Sequence, residues 1–194
     1  MTQASSSIAR PGIHPLVRRY GLVVLFAALV CIGGYLRIPI PGNPVPVTLQ
    51  ITFVMLAGAF LTPVMAALSM VLFVASGLAG APVYAGGGAG LAYLLGPTGG
   101  YLIGFAAGAA LCSFLIGERR DSFPRIVLGM LAGLAMIYCF GVLRLAIYLG
   151  GDAGMAFRLG VLPFFSMDLL KVSAAAAVVA GTSSLLSTGS DGAR

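Results

Sequence analysis

Residues 38–117 read IPIPGNPVPVTLQITFVMLAGAFLTPVMAALSMVLFVASGLAGAPVYAGGGAGLAYLLGPTGGYLIGFAAGAALCSFLIG, and this stretch decides the fold. Its 80 residues contain no Asp, Glu, Lys, Arg or His. A spanning helix needs roughly 20 apolar residues at about 1.5 Å each, so the stretch has room for three spans and their loops. The rest of the 194-residue chain agrees. Hydrophobic residues make up 59% and charged residues 8%, and mean hydropathy is +1.05. So few charges could not cover the surface of a soluble domain of this length, which excludes a soluble globular protein, a disordered chain and a nucleic-acid binder. The expected fold is an all-α integral membrane bundle. The net charge of +6 fits basic residues flanking spans and requires no acidic partner.

Six helices are expected, over about 20–38, 49–62, 63–78, 99–117, 125–149 and 163–187. The second and third are divided at Thr62-Pro63, where proline favours a break. Residues 1–19 and 188–194 are read as tails and 20–187 as one membrane domain. With six spans, Arg10, Arg18, Arg19, Arg119, Arg120, Arg125 and Arg194 share one side, against Arg37 and Arg158 on the other. That bias puts both termini in the cytoplasm. It disfavours a five-helix reading that merges 49–78. Loops 39–48, 79–98 and 150–162 then meet on the outer face.

These loops hold the candidate binding groups. Pro39, Pro41, Pro44 and Pro46 stiffen the first, which is either a lid over a pocket or a plain connector. Gly77–Gly100 holds nine glycines in 24 residues, with Tyr84 and Tyr93 among them. Glycine lets a ligand approach the main chain, so the segment is a ligand cradle or a flexible loop. It is not a phosphate-binding P-loop, because no Gly-Lys-Ser/Thr follows. In the last helix Asp168 and the single lysine, Lys171, share a face at i, i+3. Lys171 lies about 12 Å along that helix, and ionisable groups at such depth are functional hypotheses. Arg144 lies at comparable depth, roughly 7 Å from the outer end of the fifth helix. Two cations and one carboxylate suit an organic anion. Cys31, Cys112 and Cys139 sit in apolar runs and His14 in the N-terminal tail, so neither metal nor cofactor is expected. No nucleophile–base set is present, so the chain offers binding groups and not catalytic ones.

Several of these motifs together resemble the BioY family, the biotin-binding S components of energy-coupling-factor (ECF) vitamin transporters. The resemblance rests on Arg37-Ile38-Pro39, Pro44-Val45-Pro46-Val47-Thr48-Leu49-Gln50, Gly80-Ala81-Pro82-Val83-Tyr84-Ala85-Gly86-Gly87, Gly96-Pro97-Thr98-Gly99-Gly100-Tyr101-Leu102-Ile103-Gly104-Phe105, Gly160-Val161-Leu162-Pro163-Phe164 and Asp168-Leu169-Leu170-Lys171. It implies six helices and biotin uptake across a bacterial cytoplasmic membrane by a multi-pass protein that is not an enzyme. It also implies a lid over an outward pocket, formed by Pro44, Val45, Pro46 and Val47. Asp168 and Lys171 would lie near the ligand's carboxylate. Tyr84, Gly86, Gly87 and Gly90 would line the ring end. With Tyr93, Gln50 and Arg144 they complete the candidate biotin site. Implied partners are biotin, the bilayer, and either ECF coupling and ATPase subunits or a second copy of the chain. Two features depart from the family pattern: Met167 stands before Asp168 where glycine is common, and Ala27-x-x-x-Cys31 replaces Ala-x-x-x-Ala in the first helix. A subunit for another carboxylate-bearing vitamin and an intramembrane lipid-modifying enzyme are the competing readings.

Overall fold

The computed structural model describes residues 15–117 and 122–191, with side-chain surroundings to Thr182. Arg10, Arg119, Arg120 and Arg194, used above for orientation, lie outside the described residues. The long helices are α1 (Pro15–Tyr35), α2 (Gln50–Phe60), α3 (Pro63–Leu78), α5 (Gly99–Ile116), α6 (Phe123–Tyr148) and α8 (Leu162–Asp191). Two short helices, α4 (Gly90–Leu94) and α7 (Ala153–Gly160), lie in the expected loops. Four helices, α1, α5, α6 and α8, are long and apolar enough to cross a membrane. α2 and α3, at 11 and 16 residues, are shorter.

The division between α2 and α3 falls where the sequence reading put it. Thr62 is extended and Pro63 takes the first helical position, where its missing N–H is harmless. Ser113 on α5 donates to the Leu61 carbonyl at 2.6 Å, so the break is satisfied inside the protein. α1 begins at Pro15, earlier than expected, because a helix propagates past the edge of its apolar run and Arg18 and Arg19 are good helix formers. α8 likewise continues to Asp191.

The tightest helix pair is α5 with α6. A Cβ at Gly108 would stand 2.7 Å from the Gly133 carbonyl oxygen, and a Cβ at Gly133 equally close to that of Gly108. Glycine on both helices is what lets the backbones meet, as in small-residue packing between membrane helices. This closeness sets the position of Tyr101 on α5 and Tyr138 on α6, both of which reach the site.

The all-α expectation needs one addition, a small antiparallel ribbon of β1 (Arg37–Ile38) and β2 (Val47–Thr48), with Arg37 opposite Thr48 and Ile38 opposite Val47. The proline loop is the connection of this hairpin. The Asn43 carboxamide pins it twice, accepting from the Val45 N–H at 2.9 Å and donating to the Leu159 carbonyl of α7 at 2.8 Å. Asp152 caps α7 by accepting from the Met155 N–H at 2.8 Å.

Candidate functional site

Beneath the hairpin lies a cavity of about 50 Å³. The hairpin supplies Val45, Pro46 and Thr48, and α4 supplies Tyr93. Thr98, Tyr101 and Leu102 come from the start of α5, Tyr138 from α6, and Phe164, Asp168 and Lys171 from α8. With Ile51 of α2, six elements thus converge on one small, mostly apolar volume.

Its polar end is a built network. Lys171 Nζ donates to Asp168 Oδ1 at 2.8 Å and to the Thr48 carbonyl at 2.7 Å. Tyr138 Oη donates to Asp168 Oδ2 at 2.6 Å. Asp168 is 1% exposed and Lys171 10%. A buried carboxylate is tolerated only when paired and hydrogen-bonded, and here both oxygens are engaged. The helical i, i+3 spacing brings the pair together, while the bond to Thr48 ties α8 to the hairpin. Tyr101, next to Tyr138 on the cavity wall, donates to the Gly160 carbonyl at 2.8 Å and joins α5 to α7.

Outside the hairpin is an open vestibule of about 510 Å³. Pro46, Tyr93 and Thr98 line both compartments and therefore stand between them. Arg37 is the one charged residue in the vestibule lining. Its guanidinium lies against Gly86, where a Cβ would collide with it, and Gly86 itself has φ +72°. That close approach and the left-handed backbone both require glycine. No carboxylate pairs with Arg37 among the described residues.

The structure brings together Asp168, Lys171, Tyr93, Val45 and Pro46 on the cavity, with Pro44 on the vestibule. Val47 is buried in β2. Gly86, Gly87 and Gly90 take positive φ in the segment that follows Ala85, a vestibule residue. Val47, these glycines and the remaining three candidates line neither compartment. Tyr84 is fully buried, its hydroxyl donating to the Val74 carbonyl at 2.7 Å and its ring packed 5.0 Å from that of Tyr93. It backs a wall residue. Gln50 is buried against Gly33 and Gly34 of α1. Arg144 donates to the Leu95 carbonyl at the end of α4, so it anchors the segment carrying Tyr93 and adds no charge to the cavity lining. The residues that charge counting missed are Tyr138, Tyr101, Thr48 and Thr98. A tyrosine inside an apolar span is the signal that could have found the first, since a buried phenol needs a partner.

The sequence profile of the BioY family matches residues 1–188. The chain is 40% identical over 158 residues to the probable biotin transporter BioY of Pyrococcus horikoshii, covering 81% of this chain and 91% of that one. It is 38% identical over 154 residues to the biotin transporter BioY of Thermotoga maritima, covering 79% and 89%. A crystal structure of the S-component for biotin from an ECF-type ABC transporter superposes with a TM-score of 0.78 at 26% identity, covering 89% of this chain and 95% of that one.

Proposed function

The chain belongs to the BioY family, and from that membership we propose that it takes up biotin across the membrane as the substrate-binding component of a transporter. It is a multi-pass membrane protein and not an enzyme. The observation that supports this reading most directly is the cavity itself, an apolar chamber with one buried donor–acceptor pair at its end and a stiff hairpin over it.

The charge balance favours a definite ligand polarity. Asp168 neutralises Lys171, so this end of the cavity has no net charge to offer an acid, and the carboxylate would repel one. A cyclic urea matches it better, because the ureido N–H groups donate where Asp168 accepts and the ureido oxygen accepts where Lys171 donates. The unpaired cation is Arg37, in the vestibule. We therefore place the biotin ring at Asp168 and Lys171, and its carboxylate tail past Pro46 and Tyr93 toward Arg37. This reverses the expectation that Lys171 meets the carboxylate. Tyr138 orients Asp168, and Tyr84 and Arg144 hold the wall that carries Tyr93.

A chamber of about 50 Å³ is far below the ~300–1,000 Å³ of ordinary ligand pockets. Entry therefore requires the hairpin to swing outward. With two of its three N–H groups on Asp168 and the Thr48 carbonyl, Lys171 keeps a third for the ureido oxygen.

Calorimetry on the purified chain tests the function. Saturable binding of biotin is expected, and no heat with biotin alongside clear binding of another vitamin overturns the reading. Tyr138→Phe should weaken biotin about two- to tenfold, the worth of one neutral donor on a carboxylate still held by Lys171. An unchanged dissociation constant would remove Tyr138 from the site.

We further propose six membrane segments with both termini cytoplasmic, in the inner membrane of a bacterium, with α2 and α3 spanning as short or tilted helices. In a cysteine-free background, single cysteines at positions 43 and 88 should react with an impermeant reagent from outside. Cysteines at 5 and 121 should react only after permeabilisation. Outside labelling at position 5 would refute this topology. ECF coupling and ATPase subunits are the proposed energy-supplying partners.

A further inference from the structure

At the end of the bundle away from the hairpin, a pocket of about 260 Å³ opens between the first turns of α1 and the α2–α3 break. Arg18 and Arg19 stand at it, with Leu22, Phe60 and Met65 as apolar walls. We propose that this pocket binds the headgroup of an anionic phospholipid.

Three observations converge. First, the charge of Arg18 and Arg19 has no ion-pair partner among the described residues. Asp168 and Asp152 lie at the hairpin end and are committed to Lys171 and Tyr138 and to the cap of α7, while Glu118 and Asp121 fall outside the described residues. Second, two carbonyls at the pocket floor already accept hydrogen bonds. The Leu61 carbonyl takes the Ser113 hydroxyl at 2.6 Å, and the Thr62 carbonyl takes the Ala66 N–H at 2.8 Å. The two guanidinium groups offer donors only, which suits an anion rich in oxygen acceptors. Third, the walls are apolar and continuous with outward-facing apolar side chains. Val24 and Leu25 on α1 and Val64 and Leu68 on α3 are all exposed. A cationic mouth over an apolar surface fits an amphiphile whose phosphate sits on the arginines while its acyl chains run along α1 and α3. Inorganic phosphate would satisfy only the first half of that surface.

A basic residue near an anionic lipid surface is worth about 1 kcal/mol, so removing two should weaken retention about 30-fold. The test uses the full chain in detergent, with bound lipid counted by native mass spectrometry during titration with phosphatidylglycerol or phosphatidylcholine. Phosphatidylglycerol should be retained at one per chain and phosphatidylcholine should not. Arg18→Gln/Arg19→Gln should lose that retention, and Arg18→Lys/Arg19→Lys should keep most of it. Excess inorganic phosphate should leave the lipid in place. Biotin affinity, read at the far end of the molecule, should be unchanged in both variants and reports that they are folded. Equal retention of the two lipids, full displacement by inorganic phosphate, or an unaltered count in the glutamine variant would each overturn the proposal. So would a glutamine variant that keeps the lipid but fails to assemble with ECF subunits, because the arginines would then belong to a protein interface.

Discussion

Alanine in place of Lys171 should raise the dissociation constant for biotin about 10- to 150-fold, the worth of one charge-assisted hydrogen bond. It should also destabilise the protein, because Asp168 would keep only the Tyr138 hydroxyl while remaining 1% exposed. Stranding one partner of a buried pair typically costs about 3–5 kcal/mol. These two effects separate in the double variant Asp168→Asn/Lys171→Met. Removing both charges together restores much of the stability, since no uncompensated ion remains. It cannot restore the donor and acceptor that the ureido group needs. The expected pattern is a low melting temperature and weak binding for Lys171→Ala, then a recovered melting temperature and still weak binding for the double variant. If the double variant binds biotin within a few-fold of the original chain, the pair is a structural strut and the ring lies elsewhere.

The charge-free stretch made the membrane bundle legible, and Thr62-Pro63 marked the break between α2 and α3, because both signals act locally on the chain. Asp168 and Lys171 stood out for the same reason, as the one close pair of opposite charges inside a span. What stayed hidden depends on tertiary approach. The ribbon of Arg37–Ile38 with Val47–Thr48 has strands too short to show any period. Tyr84 and Tyr93 sit in the same glycine-rich segment, yet one plugs the space beside Gly77 and the other faces the cavity. Glycine spacing does not distinguish a cradle for a ligand from a cradle for the protein's own ring. Arg144 shows the limit of depth arithmetic. Its height in the membrane was readable, but only the folded chain reveals that its guanidinium meets the Leu95 carbonyl. Tyr138 escaped a reading built on formal charge, although its hydroxyl completes the shell of the buried carboxylate.

Arg37→Gln should weaken biotin about two- to fivefold and leave biotinamide almost untouched. Arg37 is exposed at the rim of the vestibule and has no ion-pair partner among the described residues, so its contribution to an incoming carboxylate is a screened one. The loss in Arg37→Gln should accordingly shrink as salt is added. Lys171→Ala should behave differently, weakening biotin and biotinamide by the same factor, because both carry the same ring. The opposite polarity makes the opposite forecast. With the acid at Lys171, the Lys171→Ala chain would lose its preference for biotin over biotinamide, and Arg37→Gln would keep that preference intact. Dissociation constants for two ligands against two variants therefore decide which end of the molecule enters first. A cavity neutral at its floor and cationic only at its mouth admits the uncharged ring deep into the bundle and leaves the carboxylate where water still reaches it. The carboxylate then never has to be desolvated beside Asp168, which is the physical reason for expecting the ring-first arrangement.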